Sequence, residues 1–270
     1  MRVASIQLSV VENNKRATVD KAVEGVRKAR GADLIVLPEL WNIGFMSFDR
    51  YVPEAEDRDG PTLSALRNAA RDLKVHIHTG SFVEKEGGKL FNSSYLLSPQ
   101  GEILANYRKI HLFGFNSKET QILNHGNQVV VVETSLGKIG MATCYDLRFP
   151  ELFRRMVEKG AELFLVCSAW PYPRLEHWIM LNRVRALENQ CFLVSANSVG
   201  MNGGSQFVGH SMMVSPWGII LASGGDDEVV LRAEFDLSEV RSARERFPAL
   251  ADRQEWLQKC LDNTVGFNQS

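Results

Sequence analysis

The chain has 270 residues, 44% of them hydrophobic, which is enough to bury a large core without disulfide or metal support. Its 31 basic and 32 acidic side chains leave a net charge of −1 with both signs interspersed, which argues against a nucleic-acid footprint and a polybasic membrane anchor. No apolar run approaches the ~20 residues of a membrane span, and Met1-Arg-Val-Ala-Ser-Ile-Gln-Leu8 enters a strand-like pattern, not a signal-peptide layout, so a cytoplasmic location is expected.

In chain order, the apolar pattern predicts strands over 3–8, 34–37, 75–83, 94–98, 129–132, 139–143, 163–167, 192–196, 211–214 and 229–235. Helical periodicity fills 13–30, 62–74, 150–159 and 175–189. Apolar runs separated by helices read as α/β architecture, while Glu86-Gly-Gly88 and Pro99-Gln-Gly101 signal antiparallel hairpins. A mixed sheet pair flanked by helices satisfies both. No linker or repeat divides the chain, so one domain is expected over 1–270, with a core to about residue 250 and a carboxyl-terminal tail over 251–270.

Three of these segments can carry chemistry. Leu34-Ile-Val-Leu-Pro-Glu39 is an apolar strand halted by a proline that cannot donate to a ladder and holds Leu37 extended. Glu39 is thereby expected at a strand's carboxyl end, where open α/β sheets bind ligands. Tyr107-Arg-Lys-Ile-His-Leu-Phe113 puts the Lys109 ammonium among hydrophobic neighbours, where burial and a carboxylate partner set its protonation. Finally, Ile139-Gly-Met-Ala-Thr143 gives way to the polar Tyr145-Asp-Leu-Arg-Phe-Pro-Glu151, so Cys144 ends a strand just before a helix, a position suited to a nucleophile. Taken singly, each reads more readily as a solvated charge or a packing thiol. Cys167 and Cys191 lie in apolar strand-like runs and read as packing residues. With Cys260 they form no Cys-x-x-Cys pair and no zinc-ligand spacing, so all four cysteines read as reduced thiols.

Together, in the order Glu39, Lys109, Cys144, the segments resemble the catalytic set of the nitrilase superfamily of carbon-nitrogen hydrolases. The resemblance extends over Cys144-Tyr-Asp-Leu-Arg-Phe-Pro-Glu-Leu152, His177-Trp178 with Arg185-Ala-Leu-Glu-Asn-Gln190, and Gly209-His-Ser211 followed by Pro216-Trp-Gly218. The compact length and Trp170-Pro-Tyr-Pro-Arg174 look most like the omega-amidase branch, whose members hydrolyse the terminal amide of small 2-oxo acid amides. The resemblance implies a four-layer α-β-β-α sandwich that pairs across a two-fold axis into a homodimer or larger homo-oligomer, with the tail a candidate for that packing. It implies a small-molecule amide substrate and no metal or organic cofactor. It also places Glu119 near the lysine, against the plainer reading of a solvated loop charge.

The reaction explains the residue types. An unactivated amide is a poor electrophile and a neutral thiol a poor nucleophile, so the site must supply thiolate and hold an oxyanion. Glu39 would take the proton of Cys144, while Lys109 and the backbone N–H of Tyr145 would receive the oxyanion. A far carboxylate on the substrate needs a cationic clamp, for which Arg148, Arg174 and Lys118 are candidates. Arg148 reads equally as an ion-pair partner of Asp146 or Glu151. Phe45, Trp170 and Tyr172 are candidate pocket walls. Among the histidines, His76 and His78 read as strand positions, His177 as packing or capping in a helix, and His210 as a structural hydrogen bonder. Three alternatives stay open: a nitrilase or N-carbamoyl hydrolase of the same superfamily, a Cys-His hydrolase using His111, and a non-catalytic binding protein on this fold. Retention of all three residues argues against the last.

Overall fold

The computed structural model describes residues 1–254. Cys260 and residues 255–270 of the expected packing tail lie outside the described residues. The chain begins with β1 (Arg2–Gln7), α1 (Lys15–Lys28), β2 (Leu34–Val36), α2 (Pro61–Leu73), β3 (His76–Glu86), β4 (Lys89–Leu97) and β5 (Ile103–Arg108). A short α3 (Glu119–Ile122) leads to β6 (Val131–Thr134), β7 (Gly137–Thr143), α4 (Pro150–Glu158), β8 (Leu163–Ser168), α5 (Leu175–Asn189) and β9 (Phe192–Asn197). The ribbon of β10 (Val199–Asn202) and β11 (Ser205–Val208) is followed by β12 (Met212–Val214), β13 (Ile220–Ser223), β14 (Val229–Glu234) and α6 (Ser238–Arg246).

These strands form two six-stranded sheets, ordered β14-β1-β2-β3-β4-β5 and β13-β12-β9-β8-β7-β6. Each is parallel at its centre, through β1-β2-β3 and through β7-β8-β9, and antiparallel toward its edges. Alternation along the strands explains the layering. Val3, Leu34 and Val36 of the first sheet share one apolar core with Ile139, Met141, Leu163, Leu165 and Val194 of the second. The alternate residues Ala4, Ile6 and Ile35 pack with Ala22 and Val26 of α1 and Leu63 and Leu66 of α2. On the other side, Ala142, Phe164 and Val166 pack with Phe153 and Met156 of α4 and Trp178 and Ala186 of α5. Both faces of each central strand are therefore buried, which is why those strands read as continuous apolar runs. The result is the α-β-β-α sandwich.

Local signals set the boundaries. Asn14 caps α1 by accepting the Ala17 N–H at 3.0 Å, and Pro61 opens α2. The two hairpins form where the turn residues lie, pairing Glu86 with Lys89 and Leu97 with Ile103. The pattern does not reveal β5, β10, β11, β13, α3 or α6. In α6 only Val240 and Ala243 are buried, too narrow a stripe to stand out, and β13 is a largely exposed edge strand. No helix among the described residues is long and apolar enough to cross a membrane.

Candidate active site

Four buried groups converge where the strands of the two sheets end. Glu39 follows β2 after the turn at Pro38, and Leu40 takes a left-handed φ of +44° to make the bend. Gly80 admits that bend: a Cβ there would lie 2.0 Å from the Pro38 carbonyl oxygen. The Ser81 N–H then donates to that carbonyl at 2.9 Å. Lys109 directly follows β5, with its N–H on the Asn92 carbonyl at 2.9 Å. Cys144 follows β7 and opens a 3₁₀ turn over Cys144–Arg148 with a left-handed φ of +47°. That strained strand-to-turn corner takes Cys144 out of the β7 ladder. Glu119 opens α3, and its N–H donates to Ser117 Oγ at 3.1 Å.

Lys109 Nζ lies 2.8 Å from Glu39 Oε1 and 3.0 Å from both carboxylate oxygens of Glu119. All three side chains have zero exposure, so the ions are held by one another and by backbone donors. Asn92 Nδ2 bridges the two carboxylates at 2.8 Å each, the Ala169 N–H donates to Glu39 Oε2 at 2.9 Å, and the Phe113 N–H donates to Glu119 Oε2 at 2.7 Å. Burial disfavours the Lys109 ammonium, but the Glu119 and Glu39 carboxylates outweigh it and hold its pKa well above the ordinary lysine value. Burial, reinforced by Glu39, lifts Glu119 above the usual carboxylate range despite Lys109. Burial first, and the Glu39 carboxylate second, push the Cys144 thiol well above its ordinary value. Cys144 therefore rests as a neutral thiol beside a carboxylate, because burial outweighs the nearby Lys109 ammonium.

Asp146 ties the Cys144 turn to the Lys109 segment. Its carboxylate accepts the Tyr107 hydroxyl at 2.6 Å, the Thr143 N–H at 2.9 Å and the His111 N–H at 3.0 Å, and it meets His111 Nδ1 at 2.8 Å. The expected pairing of Arg148 with Asp146 or Glu151 does not form, since the Asp146 carboxylate is already occupied by partners from the Lys109 segment and its own turn. Instead, the Arg148 guanidinium lies 4.9 Å from the Trp170 ring, and its Nη2 contacts His177 Nδ1 at 3.1 Å. His177 is thus an exposed partner of Arg148 and not a packing residue.

Cys144 opens into a small pocket lined by Phe45, Phe113, Tyr145, Arg148, Trp170 and Arg174. Arg174 lies 5.7 Å from the Phe113 ring, and among the described residues neither arginine pairs with a carboxylate. Two expected wall or clamp residues are elsewhere. Lys118 is exposed on its loop, and the Tyr172 hydroxyl donates to Asp226 at 3.0 Å. His111 stacks on Phe149 at 3.7 Å with its Nδ1 on Asp146, so the Cys-His arrangement is not built. The sequence reading missed Asn92, Phe113 and Asp146 as site components. An asparagine inside a strand was the available signal, since strands are depleted in it.

Comparison with known proteins agrees with this geometry. Residues 2–245 match the carbon-nitrogen hydrolase family. The 2-oxoglutaramate amidase of Paenarthrobacter nicotinovorans is 39% identical over 92% of this chain and 86% of its own length. The 2-oxoglutaramate amidase of Bacillus subtilis is 36% identical over 93% and 96%. An amidase of Nesterenkonia sp. AN1, solved with the acetamide moiety of fluoroacetamide added covalently at its active-site cysteine, superposes with a TM-score of 0.85 at 27% identity, covering 96% of this chain and 95% of that one. The chain belongs to the carbon-nitrogen hydrolase family, within the nitrilase superfamily.

Proposed function

We propose that the protein is an omega-amidase that hydrolyses the terminal amide of a small 2-oxo dicarboxylic acid monoamide, giving the acid and ammonia. The observation that carries this reading is the buried Lys109, Glu39 and Glu119 cluster beside a thiol that opens into a pocket with two cations that have no carboxylate partner among the described residues. Cys144 Sγ attacks the amide carbon as Glu39 takes the thiol proton. Lys109 Nζ and the Tyr145 N–H, which the first turn leaves without an intrahelical acceptor, receive the developing oxyanion. Glu39 passes the proton to the departing nitrogen, the C–N bond breaks, and ammonia leaves a thioester. Water, deprotonated by Glu39, adds to the thioester, and the C–S bond breaks to restore the thiol. Glu119, bonded to Lys109 through both carboxylate oxygens, helps hold the ammonium in place. Arg148 and Arg174 suit the substrate's far carboxylate, between the aromatic walls of Phe45 and Trp170.

The names of the relatives support the amide over the nitrile or carbamoyl alternatives. So does the site, because a nitrile adduct places its charge on nitrogen, whereas the paired donors here suit an oxyanion. A cytoplasmic, homodimeric enzyme is part of the same reading. The exposed Met180, Leu187, Trp217 and Ile219 support the pairing. Ammonia release over a panel of amides and nitriles tests the activity. A five-carbon 2-oxo acid amide should exceed any simple nitrile in kcat/KM by at least about 100-fold, or ~2.7 kcal/mol of differential transition-state binding. Comparable turnover of 3-cyanopropionate would overturn the amide assignment.

A further inference from the structure

Parallel pairing places Thr143 of β7 opposite Cys167 of β8. The next residues, Cys144 and Ser168, therefore lie side by side at the carboxyl edge of the sheet. Ser168 is fully buried, and its hydroxyl meets full hydrogen-bond geometry with no partner among the described residues, although it lies close enough to the Cys144 thiol to favour its ionised form. Its backbone also holds the base. The Ser168 carbonyl accepts the Glu39 N–H at 3.2 Å, and the N–H of the following Ala169 donates to Glu39 Oε2 at 2.9 Å. Ser168 is thus tied through its backbone to the carboxylate that takes the proton and lies beside the thiol that loses it. A buried hydroxyl left unpaired is unfavourable unless an acceptor develops beside it.

We propose that Ser168 is a positioning residue for the reaction, its hydroxyl donating a hydrogen bond to Cys144 Sγ as the thiolate forms. This rests on the reading of Cys144 as nucleophile. A neutral thiol is a weak acceptor and a thiolate a strong one, so the bond strengthens as charge arrives on sulfur. It does so a second time, when the thiolate leaves the thioester. Burial and Glu39 oppose the thiolate, whereas the Ser168 hydroxyl, like Lys109, acts in the opposite sense. Such an interaction, made in the transition state more than in the resting enzyme, raises kcat with little effect on KM.

The test is the pH dependence of Cys144 alkylation by iodoacetamide in the wild type, Ser168→Ala and Ser168→Thr, alongside kcat and KM for amide hydrolysis. Ser168→Ala should move the alkylation midpoint up by about one pH unit, slow labelling at neutral pH roughly tenfold, and lower kcat about 10- to 100-fold with KM within about threefold. Ser168→Thr, which keeps the hydroxyl, should return the midpoint toward that of the wild type. An unmoved midpoint in Ser168→Ala, whether or not kcat falls, overturns the proposal, as does an equal shift in Ser168→Thr. Cys144→Ala separates the two readings: if it still releases ammonia, the nucleophile assignment fails. If it is inactive and the Ser168→Ala midpoint is unmoved, only the Ser168 assignment fails.

Discussion

The side chains of the Glu39, Lys109 and Glu119 cluster hold one another in place. With two carboxylates and one ammonium all at zero exposure, removing the ammonium leaves like charges facing one another in a dry site, and removing a carboxylate frees the lysine to turn away. Lys109→Ala should therefore lower kcat by roughly 10²–10³ or more, the scale of losing one oxyanion donor. Glu39→Gln should be at least as damaging, because an amide cannot accept the proton in either half-reaction. His111→Ala should act more mildly through Asp146, and a dead His111→Ala beside an active Glu39→Gln would restore the Cys-His mechanism. At this scale, Glu39 and Cys144 were legible because each follows an apolar strand that stops abruptly on a group unlike its neighbours, and Lys109 because it sets an ammonium among hydrophobic residues. Asn92 was not, since a polar residue within a strand reads as solvent-facing, and only the folded sheet shows it buried between two carboxylates. Arg148 misled because its nearest acid in sequence, Asp146, is bonded to groups 35 and 39 residues away.

Among the elements, the central strands were the most readable, since burial on both faces makes them unbroken apolar runs. The strand ahead of Lys109 was harder. Ile103-Leu-Ala-Asn-Tyr-Arg108 lies at a sheet edge with mixed exposure, so its pattern is diluted. Element β3 also carries a group that links the fold to pH. His78 is fully buried beside the Gly80 bend, its Nδ1 accepts the Gly80 N–H at 3.3 Å, and its Nε2 has no partner among the described residues. Burial pushes its pKa down from 6.5 to about 3. Between those values the unfolded chain binds a proton that the folded chain refuses, so stability falls as pH drops through that window. From about pH 7 to about pH 5 this single group should cost about 2 kcal/mol. Urea unfolding of the wild type and His78→Leu at both pH values checks it. The wild type should lose that much more than the variant, and parallel losses would show that His78 is not the cause.

At the scale of the whole molecule, the sandwich brings together residues that no local signal connects. Glu39 and Lys109 belong to one sheet and Cys144 to the other, so the site forms only when the two sheets pack through Val36, Met141 and Leu165. The layer architecture was legible from the alternation of apolar runs with helices, and the chemistry from two strand ends and a lysine among apolar residues, but the meeting of these segments required the fold. The central claim is that amide hydrolysis passes through an acyl group on Cys144. Acid-quenched enzyme in turnover with a 2-oxo acid amide, analysed by intact mass and peptide mapping, tests it most directly. The account predicts an added acyl mass on the peptide carrying Cys144, abolished in Cys144→Ala and diverted to the hydroxamate when hydroxylamine is present. Ammonia release with no adduct on that peptide, or an adduct on the peptide of Cys167 or Cys191, would contradict it.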